Sequence, residues 1–191
     1  MINSIENAIV IGATGLVGRE LIRQLSQNAR CKNIPAVVRQ RDHELNGLAK
    51  VQQMVISDFL SLTQDDVRDY SHAFSCLGST IKKAGSKDHF YHIDFSINAH
   101  FAELLEYTET HLIIVSAMGA DANSAFFYNR VKGELEYYLK TLKLNQLSIL
   151  KPSLLLGERH ESRRLEDATQ KLYMRFSHFV PDRFKFKPVT A

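Results

Sequence analysis

The chain has 191 residues, of which 45% are apolar and 24% charged, and it carries a net charge of +3. Those proportions belong to a globular protein long enough to bury its own core, and they exclude collagen-like, low-complexity and charge-dominated disordered chains. So small a charge argues neither for nor against nucleic acid, and no nucleic-acid partner is expected. No apolar run approaches the roughly 20 residues of a membrane helix. Two cysteines, Cys31 and Cys76, make no disulfide framework. Cys76 ends an apolar run and is expected to be a buried thiol. With no leader-like segment ahead of the first strand, the expectation is one domain over residues 1–191 in a reducing, cytoplasmic setting.

Ala8–Ile11 is an apolar, β-branched run that stops at Gly12. Two more glycines, Gly15 and Gly18, follow at three-residue intervals, and an amphipathic stretch continues to about Gln27. This reads as strand, tight turn and helix. Gly12 permits the turn, Gly15 lets the backbone approach a pyrophosphate, and Gly18 lets the helix pack close to the sheet. The unpaired N–H groups and positive dipole at the start of the new helix suit phosphate, so Gly12, Ala13, Thr14, Gly15, Leu16, Val17 and Gly18 are candidate cofactor-binding residues. The spacing is Gly-x-x-Gly-x-x-Gly rather than Gly-x-Gly-x-x-Gly.

A second strand, Ile34–Val38, leads into Arg39-Gln40-Arg41, where an acid would be expected to hold a ribose hydroxyl. Guanidinium groups there suit a 2′-phosphate, which points to NADP(H) over NAD(H). The alternative is that Arg39 and Arg41 are solvated loop charges. Further along, the pattern predicts a strand over 51–56, a short helix over 62–70, a strand over 73–77, a long helix over 87–108, a strand over 111–116, a helix over 126–141 and a strand over 147–151. Alternation of this kind predicts an α/β fold: a doubly wound, Rossmann-type parallel sheet with helices on both faces, in three layers. Ligands of such sheets bind beyond the carboxyl ends of the strands. Gly12, Arg39, Asp58, Gly78, Ser116 and Pro152 all follow predicted strand ends.

Tyr128 and Lys132 lie four apart on one predicted helix, hence one turn apart on one face. An ammonium beside a phenol stabilises the phenolate, so Lys132 is expected to lower the Tyr128 pKa and fit it for proton transfer. Ser116 ends the preceding strand.

These features resemble the short-chain dehydrogenase/reductase superfamily, in which a serine precedes the tyrosine by about this interval. The closer resemblance is to its atypical Tat-interacting-protein-like branch. It rests on Gly12-Ala13-Thr14-Gly15, Cys76-Leu77-Gly78-Ser79-Thr80, Ser116 to Asp121, Tyr128 to Glu136, Lys151-Pro152-Ser153 through Gly157, and Glu161-Ser162-Arg163. The resemblance implies an NADP(H)-dependent oxidoreductase acting on a small carbonyl or alcohol. Ser116 would donate a hydrogen bond to the substrate oxygen and Tyr128 a proton, while Lys132 would also hold the nicotinamide ribose. It further implies that Leu77 and Gly78 lie along the cofactor and that Asp58 approaches the adenine. Pro152 and Leu154 would cover the nicotinamide, and Asn98 would orient a water near the lysine. Asp58 reads equally as a helix N-cap, and Asn98 as a surface or capping side chain. The same branch also implies the alternative of an NADP(H)-binding redox sensor or assembly protein without turnover. Helices such as 87–108 and 126–141 pair between subunits in similar proteins, so a homodimer is expected.

Residues 159–191 carry eight Lys/Arg against four Asp/Glu, with Phe176, Phe179, Phe184 and Phe186 among them. The segment 153–191 reads as a small substrate or lid region, with a peripheral membrane or protein contact as the alternative for its basic, aromatic residues. His89, His92 and His100 have no third partner at metal-ligand spacing, and no metal is expected.

Overall fold

The structure is a computed structural model that describes residues 5–152 and the backbone of 155–156 and 189–190. In chain order the elements are β1 (Ala8–Ile11), α1 (Leu16–Gln27), β2 (Ile34–Val38), β3 (Val51–Val55), α2 (Gln64–Val67), β4 (His72–Ser75) and α3 (Ile81–Ala84). There follow α4 (Lys87–Tyr91), a π-helical turn (His92–Ser96), α5 (Ile97–Glu103), β5 (His111–Val115), α6 (Phe127–Leu139) and β6 (Gln146–Leu150). The six strands form one parallel sheet in the order β3-β2-β1-β4-β5-β6. Chain direction across the sheet reverses at β1, whose neighbours are β2 through Val10↔Ala36 and β4 through Val10↔Phe74. The chain divides into two compact units, Met1–Lys151 and Pro152–Ala191. Of the second, β7 (Leu155–Leu156) pairs in parallel with β8 (Val189–Thr190).

The central strands β1 and β2 are buried along their whole length, which is why they read as unbroken apolar runs, while the edge strands β3 and β6 carry exposed positions and polar residues. Alternate side chains of β1 feed two separate cores. Ile9 and Ile11 join Phe101, Leu105, Leu112, Ile114, Leu135 and Leu139 on the side of α5 and α6. Ala8 and Val10 join Ile22, Leu25, Ile34, Ala36 and Val38 on the side of α1. Both isoleucines are fully buried, each contributing about 1.5–3 kcal/mol of transfer free energy. This is the three-layer α/β architecture that the alternation of elements predicts.

Two helices differ from the sequence expectation. The helix expected over 62–70 contracts to α2, because the Asp66 carboxylate accepts from the Thr63 N–H (2.8 Å) and hydroxyl (2.7 Å) and fixes the start late. The chain then turns out of the helix through Asp69 at φ 70°. The helix expected over 87–108 ends at Glu103, and His92–Ser96 widens into the π turn. Such a turn accommodates one residue more than an α-helix needs.

Candidate active site

The glycine turn sits at the reversal of chain direction, between the carboxyl ends of β1 and β4. Gly12 has φ +73°, and a Cβ on it would lie 2.4 Å from Cys76 C and Leu77 N. A Cβ on Gly18 would lie 2.2 Å from Gly12 O. Both positions therefore require glycine for packing alone. Gly15 differs: its φ is −78°, and a Cβ there would meet only Gly12 O, at 3.3 Å. Gly15 is also the N-cap of α1, which has no side-chain cap and no acid in its first turn. The N–H groups of a three-turn helix thus remain open beside an exposed, side-chain-free Cα, and Thr14 is exposed next to it while Ala13 is buried under the turn. That cradle fits a pyrophosphate.

Beyond β2, Arg39 and Arg41 are both exposed. An acid does follow them, but it is engaged: Arg19 of α1 pairs with Asp42 at 2.7 Å, pairs also with Glu44, and donates to Thr14 O at 2.9 Å. Arg19 therefore pins the loop after β2 to the glycine turn and engages Asp42 there. Spacing alone gave no reason to single it out. Asp58, at the end of β3, caps a 3-10 turn by accepting from Leu60 N–H at 2.9 Å, which is the capping geometry. Leu77 is half-buried and Gly78 exposed at the end of β4, and Pro152 is half-buried. Cys76 is half-buried rather than buried, and desolvation pushes its thiol up to about 12. Leu154 and the basic, aromatic segment 159–191 lie outside the described residues.

Ser116 follows β5 directly and is buried. Its hydroxyl donates to Glu136 Oε1 at 2.6 Å, and Glu136 Oε2 accepts from Lys151 Nζ at 2.6 Å. Glu136, one turn beyond Lys132 on α6, is itself 5% exposed. The only proton of Ser116 is thus committed to a carboxylate, and the serine presents lone pairs to its other surroundings.

Lys132 is 3% exposed, and its Nζ lies 2.8 Å from Asp94 Oδ1. Asp94 has no solvent exposure and takes the Ser79 N–H on Oδ2 at 2.8 Å. Burial pushes its carboxyl up, opposed by Lys132 and by that N–H. Tyr128 packs on Phe90, with ring centroids 5.6 Å apart, within a cluster that includes Val131, Tyr91 and Phe127. Its phenol is raised above the ordinary tyrosine value, first by burial and then by the Asp94 charge. This reverses the expectation that Lys132 lowers it, because the lysine is bound to an acid from another helix.

Asn98, expected to orient a water near Lys132, has its side chain engaged by protein groups. It is buried, receives the Ser75 hydroxyl, and donates to Ile93 O at 3.1 Å and Asp94 O at 3.2 Å. It braces the π turn that presents Asp94. Both missed acids left a signal. Asp94 falls in the buried helical stripe Phe90, Asp94, Ile97, Phe101, and Glu136 sits beside Leu135 and Leu139. An acid in an apolar stripe stays buried only when paired. Among the described residues no His/Cys/Asp/Glu group could hold a metal. His100 is engaged with Leu62 O at 3.0 Å, His89 with Ala84 O at 2.9 Å, and His92 lies 6.4 Å from the His89 ring.

Residues 7–103 match the family described as semialdehyde dehydrogenase, NAD binding domain. Protein FMP52-1, mitochondrial, of Scheffersomyces stipitis is 32% identical over 96% of this chain and 82% of its own. Protein HTATIP2 of Rattus norvegicus is 34% identical over 88% of this chain and 70% of its own. The chain belongs to the FMP52–HTATIP2 family of NAD(P)-binding Rossmann proteins. Among solved structures, MoeE5 in complex with UDP-glucose and NAD superposes with a TM-score of 0.65 at 15% identity. That match covers 79% of this chain and 55% of MoeE5, so it speaks for the fold alone. The family corrects one expectation. Its fungal members are named as mitochondrial proteins, so the cytoplasmic assignment does not stand. Two unpaired cysteines fit any reducing compartment, and they carry no address.

Proposed function

We propose that this family member is an NADP(H)-dependent oxidoreductase of the short-chain dehydrogenase/reductase type, acting on a small carbonyl or alcohol. The observation that carries the reading is the placement of Ser116 directly after β5 and of Tyr128 and Lys132 on α6, the next helix, in the sheet that holds the glycine turn. A nicotinamide bound along that edge supplies or accepts the hydride. The turn Gly12–Gly18 and the open N-terminus of α1 receive the pyrophosphate, and Leu77 and Gly78 flank the cofactor. Exposed Arg39 and Arg41, with Asp42 engaged by Arg19, favour a 2′-phosphate over a bare ribose hydroxyl. Tyr128 Oη exchanges a proton with the substrate oxygen, a contribution of about 10²–10⁴-fold for a positioned acid–base. Ser116, whose hydroxyl donates to Glu136, can accept from the hydroxyl of an alcohol substrate.

Tyr128→Phe removes the proton and leaves the cradle untouched. It should bind NADPH as the wild type does and lose turnover of aldehydes or ketones by about 100-fold or more. Undiminished turnover would remove Tyr128 from the chemistry. Titration with NADPH and NADH tests the arginines, and equal affinity for the two refutes that part. A second reading is a non-catalytic NADP(H) sensor. It is favoured by the internal commitment of both the Ser116 proton and the Lys132 charge, and its signature is tight NADPH binding without turnover of any carbonyl tested.

A further inference from the structure

Arg19 joins segments that are separate in sequence. From α1, its Nε donates to Thr14 O of the glycine turn at 2.9 Å, its Nη2 lies 2.7 Å from Asp42 Oδ2 in the loop after β2, and its Nη1 contacts Glu44 of the same loop. Asp42 is the first acid after β2, and a dinucleotide-binding sheet places there the carboxylate that takes a ribose 2′-hydroxyl. Here that carboxylate is turned inward. Its side chain is 16% exposed, Oδ2 holds Arg19, and Oδ1 accepts the Glu44 N–H at 2.9 Å. Its backbone is fixed from the other side: Asp42 N–H donates to Gln53 Oε1 at 2.7 Å, and Gln53 Nε2 donates to Asp42 O at 2.9 Å and to Asn46 Oδ1 at 2.8 Å. β3 thus positions the loop while α1 claims its acid. Arg39 and Arg41, just before it, are exposed and make no hydrogen bond or ion pair among the described residues.

We propose that Arg19 is the residue that determines cofactor preference. By holding the Asp42 carboxylate against α1, it withholds from the ribose the acid that would accept a 2′-hydroxyl, and it leaves Arg39 and Arg41 to meet the 2′-position. Two open guanidinium groups suit a 2′-phosphate, which a freed carboxylate in the same loop would repel. Arg19 is a positioning residue in this role, because it acts through Asp42 and its own donors are spent on protein oxygens. Its bond to Thr14 O ties the choice at the 2′-position to the turn that receives the pyrophosphate. The inference rests on the NADP(H) reading above. It requires that the cofactor bind and is indifferent to turnover, so it holds for an enzyme and for a sensor alike.

The test is fluorescence titration of the full chain with NADPH and with NADH, read as the ratio of the two Kd values. The wild type should bind NADPH the more tightly, and equal affinities would sink the NADP(H) reading itself. Given that preference, Arg19→Gln frees Asp42 and should shrink the ratio by about tenfold or more, through weaker NADPH binding with NADH binding unchanged or tighter. An unchanged ratio overturns the inference alone. That includes a variant that binds both cofactors equally less well, since a merely loosened turn would do so. The double variant Arg19→Gln/Asp42→Asn separates the acid from the arginine. Asparagine keeps an acceptor for the Glu44 N–H but carries no charge, so most of the NADPH preference should return. A double variant that discriminates no better than Arg19→Gln overturns the inference, because the preference would then come from the arginine itself. Asp42→Asn by itself should keep the wild-type preference, and losing it there overturns the inference too, since Asp42 would then be serving the phosphate.

Discussion

Gly15→Ala separates binding from folding at the glycine turn. The new methyl meets one atom, Gly12 O, at 3.3 Å, and the backbone φ of −78° suits any residue. Alanine is a poorer N-cap than glycine but has a less disordered unfolded chain, and these opposing effects cancel to within about 1 kcal/mol. The cofactor-free protein should therefore melt within about 4 °C of the wild type. Ligand-linked stability behaves differently. NADPH at about 100 times its Kd stabilises a folded protein by about 2.7 kcal/mol, which in a chain of this length raises the melting temperature by ~5–11 °C. The added methyl projects where the pyrophosphate must approach the backbone, so Gly15→Ala should lose most of that rise. Gly18→Ala is the comparison. Its Cβ would stand 2.2 Å from Gly12 O, about 1 Å inside ordinary contact, so α1 must shift and the protein should lose stability with or without cofactor. Differential scanning fluorimetry with and without NADPH reads both. A wild-type NADPH shift in Gly15→Ala would show that the turn does not hold the phosphates. A cofactor-free Gly15→Ala protein as unstable as Gly18→Ala would make Gly15 a packing residue only.

Glu136→Gln keeps an acceptor for Ser116 but removes the charge shared with Lys151, and it should lower kcat more than it raises KM, whereas an unchanged kcat would assign Glu136 to packing. Gly133→Ala drives a Cβ to 2.1 Å from Ala122 N; chemical denaturation should show a loss of about 1–3 kcal/mol from overpacking, despite the better helix propensity of alanine. His72 and His111 face each other with ring centroids 5.4 Å apart, and burial lowers both below the ordinary value of 6.5, with the His111 charge also acting on His72. Because the unfolded chain takes up protons first as the pH falls below that value, their contribution to stability is present above it and is lost as the pH drops toward their folded values. The melting temperature should fall between about pH 7 and pH 5.5, less steeply in His72→Gln, and a flat profile would refute this.

The central strands and the glycine turn were legible because β1 and β2, buried along their whole length, leave no polar interruptions, and because Gly12 and Gly18 have no alternative residue. Ser116, Tyr128 and Lys132 were legible as a spacing. What they touch was not. Asp94 meets Lys132 from another helix, and Glu136 meets Ser116 from another element 20 residues away, so neither pairing leaves a periodic trace. Asn98 lies one turn from Asp94, the residue that binds the lysine. The π turn is invisible to a pattern of apolar residues three and four apart, since that pattern tolerates one extra residue. Arg19 looked like any charge on an amphipathic helix until β2 brought Asp42 beside it.

The widened turn at His92–Ser96 also makes the site sensitive to insertion and deletion in a way that no substitution reveals. Loss of one codon within it would restore an ordinary α-helix and swing the preceding residues by about 100° around the axis. Asn98 would stay on Ser75 while Asp94 left Lys132. The charge balance around Tyr128 is therefore written in the number of residues on this helix as well as in their identity, and chain length alone could separate relatives that share every side chain of the site.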